Sequence, residues 1–358
     1  MKRLATVVFV AGILAGCGGS KAVGATARAT IPKNATLRVA VDSLSSAGLI
    51  GSPALFRIYA RIRGGGRPIR AGTYVLPRNI GWSGILDALK GGKGLVRMVT
   101  IPEGFAIPQI VRTVSARLQV PAQSVEVAVR DTSWLRRFDI PSGSLEGYLF
   151  PDTYTVPEGS SAAEAVSLMA KRFEQAWKPQ WTARLDTLGL SRHDVMTLAS
   201  IVEREARLPE ERPVIAGVYL NRLRAGMLLQ ADPTVQYALP AHKPRLFYKD
   251  LRVKSLYNTY IHKGLPPGPI ASPGEPSIVA ALYPAKVPYK YFVAFPDGHH
   301  EFRATIKQHE VAVKASRKAW AAYYLLHPAD TTTAPAAEHV SSPAPNAIVP
   351  AAKAKRAR

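Results

Sequence analysis

The sequence predicts an α+β protein, and three observations favour this class. Short segments with alternating apolar residues are typical of strands, longer segments with apolar residues three or four positions apart are typical of helices, and both recur along the chain. Hydrophobic residues make up 47% and charged residues 20% of the 358 residues, which suits a packed core. No internal apolar run approaches the roughly 20 residues that a membrane-spanning helix needs. This composition excludes disordered, collagen-like, coiled-coil and polytopic membrane proteins.

The N-terminus predicts export. Lys2 and Arg3 precede a mostly apolar stretch at 6–16, which is typical of a signal peptide over 1–17. Residues 14–17 (LAGC) resemble the lipobox of bacterial lipoproteins, in which Cys17 would be lipidated and would anchor the chain to a membrane. The alternative is a short N-terminal membrane helix with an incidental cysteine. Either interpretation places the folded part in the cell envelope, on the extracytoplasmic side.

The charge balance is strongly basic. Lys and Arg number 47 against 25 Asp and Glu, for a formal net charge of +22, which favours binding to polyanions. The sequence has no zinc-finger spacing and no RRM-type aromatic motif, so nucleic acid is not an expected partner. Lipid headgroups and cell-wall polymers are the polyanions of the envelope, although a high-GC genome would also enrich arginine. The single cysteine excludes an intrachain disulfide and a thiolate metal cluster.

The first hundred residues predict a small α+β module after a linker. Residues 18–36 are rich in Gly, Ala, Ser and Thr, which is typical of a flexible linker. The module, at 37–105, then contains three predicted strands and two predicted helices. The strands lie at 37–41, 74–76 and 96–101, and the helices at 52–63 and 82–89.

The rest of the chain predicts a mixed α/β region with long loops rich in Pro and Gly. Residues 106–190 are expected to form a helical connecting part, 191–326 a catalytic domain, and 327–358 a disordered basic tail. The loop region at 227–276 also carries Tyr, Asn, Gln and Asp, which favours a functional loop over a linker. The predicted helices lie at 105–118, 162–177, 191–206, 214–224 and 303–326, and the predicted strand at 291–295.

The known catalytic motifs are absent from the sequence, so carboxylate side chains are the remaining candidates for catalysis. The chain has no HExxH, GxSxG, SxxK or Walker motif, and the pair His299 and His300 is a weak metal signal, so no metal or cofactor is expected. The helix at 191–206 carries Glu203 and Glu205, which lie about 200° apart around its axis and cannot converge on one bond. Spacing alone does not choose between them. Glu203 has Arg207 four residues on, whereas Glu205 has only apolar neighbours at that distance.

Several long blocks resemble the endolytic murein transglycosylase family, the YceG-like or MltG proteins. The blocks cover about residues 37–315. Their sequences are IPEG (101–104), LEGYLFPDTY (145–154), TLASIVEREA (197–206), VIAGVYLNRLRAGMLLQADPTVQYAL (214–239), YNTYIHKGLPPGPIASPGEPSIVAAL (257–282) and YFVAFPDGHHEFRAT (291–305).

The resemblance implies a membrane-anchored enzyme that cuts nascent peptidoglycan strands internally and ends their elongation, with peptidoglycan synthases as candidate partners. It implies a LysM-like module at 37–105 and places the catalytic acid at Glu203, with Glu205 in the same block. A lytic transglycosylase uses the sugar's C6 hydroxyl as nucleophile, so one carboxyl suffices where hydrolases use two. The implied substrate-binding residues are Asn221, Gln230, Asp232, Thr234, Tyr257, Asn258, Thr259, Tyr260, Pro266 and Pro267.

Three points stay open from the sequence. The rival interpretation is a non-catalytic peptidoglycan-binding scaffold with a degenerate enzyme domain. The lipobox stands where family members usually have a transmembrane helix, which leaves the inner and outer membranes both possible. The basic C-terminal extension lies outside the family pattern.

Overall fold

The computed structural model describes residues 25–64, 69–244 and 246–327. The predicted signal peptide with Cys17, the start of the linker and nearly all of the basic tail lie outside this part of the chain. The described residues fall into two compact units, one ending at Arg97 and the other beginning at Met98. Both strands and helices occur in each unit, which confirms the α+β class. Within the described ranges, no helix is long and apolar enough to cross a membrane.

The first unit packs three helices against antiparallel strands. Strand β1 pairs with β2, and β2 pairs with the start of β3. The inward residues of β1 are Ala27, Ala29 and Ile31, and the largest buried side chain among the strands is Tyr74. The elements are β1 (Thr26–Ile31), α1 (Leu37–Ser46), α2 (Pro53–Gly64), β2 (Gly72–Pro77), α3 (Gly81–Gly91) and β3 (Leu95–Ile101).

Two expectations for this unit were wrong. The segment at 37–41 is the first turn and a half of α1, because Thr36 caps it by accepting a hydrogen bond from the Val39 backbone N–H. The buried residues of α1 include Val41 and Leu44, while Val39 is 41% exposed, so helical spacing decides burial and the alternation was coincidental. Part of the expected linker forms β1, because alternate small residues there pack on the core.

The second unit is mainly helical. Its sequence-predicted helices are present, and α4 begins with Pro108 in its first turn, where proline is favoured, so the proline starts the helix and does not interrupt it. The elements α5, α6, α8, α11, α12, β4 and β6 were not predicted, and α11 lies within the expected loop region at 227–276. The elements are α4 (Ile107–Leu118), α5 (Ala122–Ala128), α6 (Thr132–Phe138), β4 (Asp152–Pro157), α7 (Ala162–Ala176), α8 (Pro179–Leu188), α9 (Arg192–Glu205), α10 (Arg212–Arg224), α11 (Asp232–Ala238), α12 (Glu275–Leu282), β5 (Tyr291–Ala294), β6 (His300–Arg303) and α13 (Ile306–Leu326).

Helix α9 is the centre of the second unit. The spacing Ser191-x-x-Asp194 predicts a capping box at its start, and the box is present. Ser191 accepts from the Asp194 backbone N–H, and the Asp194 carboxylate accepts from the backbone N–H of Ser191. All eight residues from 195 to 202 are buried, because α10, α11 and α12 pack around the helix. The helix ends at Glu205, since Ala206 is extended. Its last turn therefore emerges from the core carrying both candidate carboxyl groups.

Two further elements close this end of the unit. Strands β5 and β6 form an antiparallel hairpin, and α13 packs on it through hydrogen bonds from Ser316 and Trp320 to the carbonyl oxygen of Ala294. Helix α13 begins later than expected, because Thr305 caps it and the preceding residues belong to β6. The hairpin thereby lies next to the end of α9.

Candidate active site

A cavity of about 280 Å³ lies where the end of α9 meets α10, α11 and the β5–β6 hairpin. Two carboxyl groups, Glu205 and Asp232, line it, while Glu203 is absent from its wall. The remaining lining is largely basic and aromatic, and includes Arg204, Arg207, Tyr219, Arg222, Gln230, His242, Lys243, Phe292, His300 and Trp320.

Glu205 is the acidic group at the end of α9. The Tyr219 hydroxyl donates to Glu205 Oε1 over 2.8 Å. Burial and then the charge of Asp232 raise the pKa of Glu205 to about 7, against the opposing effects of Tyr219 and Arg222. The C-terminal end of a helix dipole also disfavours a negative charge at this position. Since Oε1 accepts from Tyr219, a proton on this carboxyl group resides on Oε2.

Asp232 is the second carboxyl group of the cavity, and it begins α11. The Tyr260 hydroxyl donates to Asp232 Oδ1 over 2.5 Å. Burial raises the pKa of Asp232 to about 7, although this hydrogen bond opposes the rise. Two neighbouring carboxyl groups that both titrate near neutrality release their protons as a coupled pair.

Arg222 forms the floor of the cavity and is only 2% exposed. Its guanidinium donates to the carbonyl oxygens of Lys290 (2.6 Å) and Leu229 (2.8 Å) and lies 5.3 Å from the centre of the Tyr291 ring. These contacts join α10 to the segment before α11 and to the hairpin. Arg222 thus fixes the cavity walls while placing a positive charge near the two carboxyl groups.

Glu203 points away from the cavity, towards the N-terminus of α12. Its Oε2 accepts from the Gly274 backbone N–H (3.1 Å) and the Ser277 hydroxyl (2.7 Å), and Arg212 lies 3.9 Å from Oε1. The side chain is 8% exposed. Glu103 faces the same cluster, where burial and then the charge of Glu203 raise its pKa. These contacts place the Glu203 carboxyl group at the N-terminus of α12, where it caps the helix.

Four of the residues expected to bind substrate form hydrogen bonds to backbone groups of the chain itself. Asn221 donates to the carbonyl oxygens of Val287 and Tyr289, and the fully buried Asn258 donates to those of Leu251 and Val253. The buried hydroxyls of Thr234 and Thr259 bond each other, and both contact the Ala231 backbone. In this conformation these four residues shape the loops and the start of α11, so the structure gives them positioning contacts.

The other expected binding residues divide into two groups. Gln230 lines the cavity beside Asp232, and Tyr260 reaches the site through its hydrogen bond to Asp232. Tyr257, Pro266 and Pro267 are not in the cavity wall. The Tyr257 ring packs 4.8 Å from that of Tyr237, Pro266 is buried, and the Pro267 carbonyl oxygen accepts from His193 Nε2. Substrate contact by these residues stays a prediction.

The histidine pair of the hairpin has carboxylate partners. His299 Nδ1 lies 2.5 Å from Asp297, and His300 Nδ1 lies 2.6 Å from Glu211, whose other oxygen accepts from the His300 backbone N–H. Within the described ranges no group of three or more His, Cys, Asp and Glu side chains is arranged to hold a metal ion.

Sequence reasoning missed Tyr219 and Arg222. Both lie in the predicted helix at 214–224, yet neither forms a motif with Glu205, because 14 and 17 residues separate them from it. The signal in the sequence that favours Glu205 is that its neighbours four residues away, Ile201 and Pro209, are apolar. A cleft with two carboxyl groups whose pKa values lie near 7 defines a general acid–base site of the kind found in enzymes that cleave glycosidic bonds.

Comparison with known proteins identifies the family. The model of the YceG-like family matches residues 29–315, and the chain belongs to this family. It is 32% identical over 302 residues to the endolytic murein transglycosylase of Bacillus subtilis, covering 80% of this chain and 84% of that protein. It is 28% identical over 295 residues to that of Streptococcus pneumoniae serotype 2, covering 74% and 53% respectively. These matches confirm the resemblance seen in the sequence.

The fold has a counterpart among solved structures. The 2.6 Å crystal structure of a yceG-like protein from Listeria monocytogenes is 32% identical, with a TM-score of 0.58. The match covers 80% of this chain and 98% of the Listeria chain. The architecture described above is therefore shared with another member of the family.

Proposed function

We propose that this chain is an endolytic murein transglycosylase. It cleaves the β-1,4 bond between MurNAc and GlcNAc within nascent peptidoglycan strands, leaves 1,6-anhydro-MurNAc ends and so ends strand elongation. The family match and the curated relatives with this activity support the assignment. The cavity with its two carboxyl groups supports an enzyme over a non-catalytic scaffold, because a scaffold does not need an acid held near its neutral form.

The proton donor in this proposal is Glu205. The observation that carries it is the position of the carboxyl group: Glu205 lines the cavity with a pKa of about 7, so it is substantially protonated at neutral pH. The resemblance assigned the acid to Glu203, whose carboxylate caps α12 and is held by Gly274, Ser277 and Arg212. Glu203 then serves as a positioning residue that fixes the end of α9 against α12.

The reaction follows from one carboxyl group acting twice. The Glu205 Oε2 proton moves to the glycosidic oxygen, the C1–O bond breaks, and the positive charge develops on the MurNAc ring. The C6 hydroxyl oxygen then bonds to C1, and its proton returns to the Glu205 carboxylate. No water is consumed. Between the two proton transfers, the negative charge on the pair Glu205 and Asp232 stabilises the oxocarbenium-like transition state.

The envelope setting belongs to the same proposal. The sequence at 1–17 supports an anchor, either lipid on Cys17 or a short membrane helix, with the enzyme on the extracytoplasmic side. The compact β1-α1-α2-β2 order of the first unit supports a LysM-like module that binds glycan. Peptidoglycan synthases are the partners that produce the nascent strands on which this activity acts.

The test is a product assay on uncrosslinked glycan strands, with mass spectrometry of the ends. Wild type is expected to give 1,6-anhydro-MurNAc ends, and Glu205→Gln to lose about 10²–10⁴-fold in rate, the usual contribution of a general acid. Glu203→Gln is the matched control on the same helix. It is expected to keep the product at a lower rate and to unfold at a lower temperature, because Gln removes the negative charge that faces Arg212 and the N-terminus of α12.

The opposite pattern would return the acid to Glu203. Two results together would contradict the assignment to Glu205: Glu203→Gln forms no product although its unfolding temperature is unchanged, and Glu205→Gln stays active. Reducing ends in place of anhydro ends would show a hydrolase. Strands that bind the wild-type protein but stay intact would favour the scaffold.

A further inference from the structure

Helix α2 presents an apolar stripe to solvent. Leu55, Ile58 and Ile62 are 57%, 55% and 77% exposed. Because they are three and four residues apart, they share one side of the helix. The other side packs Phe56 and Ala60 into the core of the first unit. The helix is therefore apolar on both faces, and none of the residues that the structure describes covers its outer face.

Positive charge surrounds this stripe. Helix α2 contains three arginines and no acidic residue. On a helical projection, Arg57 and Arg61 flank one side of the stripe and Arg63 flanks the other. Arg57 lies 3.7 Å from Asp42, and Arg61 and Arg63 are both exposed. Residues 25–97 as a whole contain twelve Lys and Arg against two Asp and no Glu.

The proposed anchor holds this unit close to a membrane. Nine residues, 17–25, separate the apolar stretch at 6–16 from β1, which begins at Thr26. Even a fully extended connection of that length spans at most about 35 Å. A unit tethered so closely encounters the bilayer surface at high effective concentration.

We infer that α2 docks on the anionic extracytoplasmic surface of the bilayer in which the chain is anchored. Leu55, Ile58 and Ile62 insert at the boundary between headgroups and acyl chains, and Arg61 and Arg63 contact lipid phosphates. An apolar stripe flanked by basic residues is the pattern of interfacial helices. An anionic wall polymer would bind the arginines but leave the apolar stripe exposed to solvent. A second copy would bring the arginines of two α2 helices together, which is unfavourable.

Docking deepens the proposed function, because it rests on the proposed anchor and would hold the first unit at a fixed height above the membrane. The probe is a full-length chain with Cys17→Ser, which keeps the apolar stretch, and an environment-sensitive fluorophore on Ile62→Cys. The matched control carries the fluorophore on Asp87→Cys, an exposed position of α3 in the same unit. Vesicles of phosphatidylethanolamine and phosphatidylglycerol carry a quencher at the acyl boundary.

The fluorophore at 62 is expected to shift to shorter wavelength and to be quenched, while that at 87 is not. Leu55→Ser with Ile58→Ser is expected to lower the ratio of docked to free helix by about tenfold per residue, the value of one half-exposed aliphatic side chain. Replacing phosphatidylglycerol by phosphatidylcholine is expected to weaken docking, because the arginines lose their partners.

Equal behaviour at 62 and 87 would overturn the inference. So would a concentration-dependent shift at 62 without vesicles, which would show a second copy as the occupant. Flotation of the chain with vesicles measures separately whether the N-terminal anchor binds the membrane. Quenching is measured at excess lipid, so docking of α2 remains detectable even if the anchor does not bind. Anhydro product from the same samples reports the enzyme activity independently of both.

Discussion

Two substitutions beside Glu205 should move the pH dependence of the enzyme in opposite directions. Tyr219→Phe removes the hydroxyl that donates to Glu205 Oε1, a bond that favours the ionised carboxyl group. Asp232→Asn removes a neighbouring negative charge that disfavours it. Tyr219→Phe should therefore raise the pKa of Glu205, and Asp232→Asn should lower it.

The sizes follow from the two interactions. A hydrogen bond to a charged group contributes about 1.5–3 kcal/mol, which corresponds to about one to two pH units. The lower end applies, because Glu205 lines an open cavity. Asp232 itself titrates near 7, so its charge is only partly present there, and its removal should shift the pKa of Glu205 by about one unit or less.

The assay is the pH profile of kcat/KM for anhydro product. The reaction needs protonated Glu205, so activity falls as pH rises through its pKa of about 7. This alkaline limb should move to higher pH in Tyr219→Phe and to lower pH in Asp232→Asn. Tyr237→Phe is the matched control, because its hydroxyl contacts Glu146 outside the cavity, and its limb should stay in place.

A common direction for both variants, or an unmoved limb in both, would refute the assignment of the acid to Glu205. A limb that responded to Tyr237→Phe as much as to Tyr219→Phe would show that the profile reports folding and not the acid.

Three further predictions concern stability. Burial raises the pKa of Glu146 from 4.5 to about 7, so the contribution of this group to the free energy of unfolding is complete below about pH 4.5 and is lost as pH rises through 7. Glu146→Gln should therefore narrow the difference in Tm between about pH 5 and about pH 8. An unchanged difference in Tm would contradict this. Ser200→Ala leaves the buried N–H of Ile270 without its acceptor and should cost about 1–3 kcal/mol in urea unfolding, whereas a neutral result would mean that the loop rearranges. A Cβ at Gly217 would lie 2.5 Å from a backbone carbonyl oxygen, so Gly217→Ala should cost about 1–3 kcal/mol, while Gly91→Ala, with open space, should be tolerated.

Local signals in the sequence were enough for much of the second unit. The apolar spacing at 162–177 predicted α7, and the capping box at Ser191 predicted where α9 begins, because both signals need only residues three or four positions apart. The same locality misled at 37–41, where alternation over five residues suggested a strand and the cap at Thr36 made a helix. Short helices such as α5 escaped detection, since seven residues carry less than two turns of pattern.

The sequence by itself determined the family, the helix that carries the carboxyl groups and the two candidates on it. Glu203 and Glu205 are two residues apart, so local spacing could not decide which one meets substrate. The tertiary structure brings Gly274 and Ser277 to Glu203 and makes it a helix-capping carboxylate. It brings Tyr219 and Asp232 to Glu205 inside a cavity. Protonation near neutral pH depends on burial and on charges distant in sequence, and only folding supplies both.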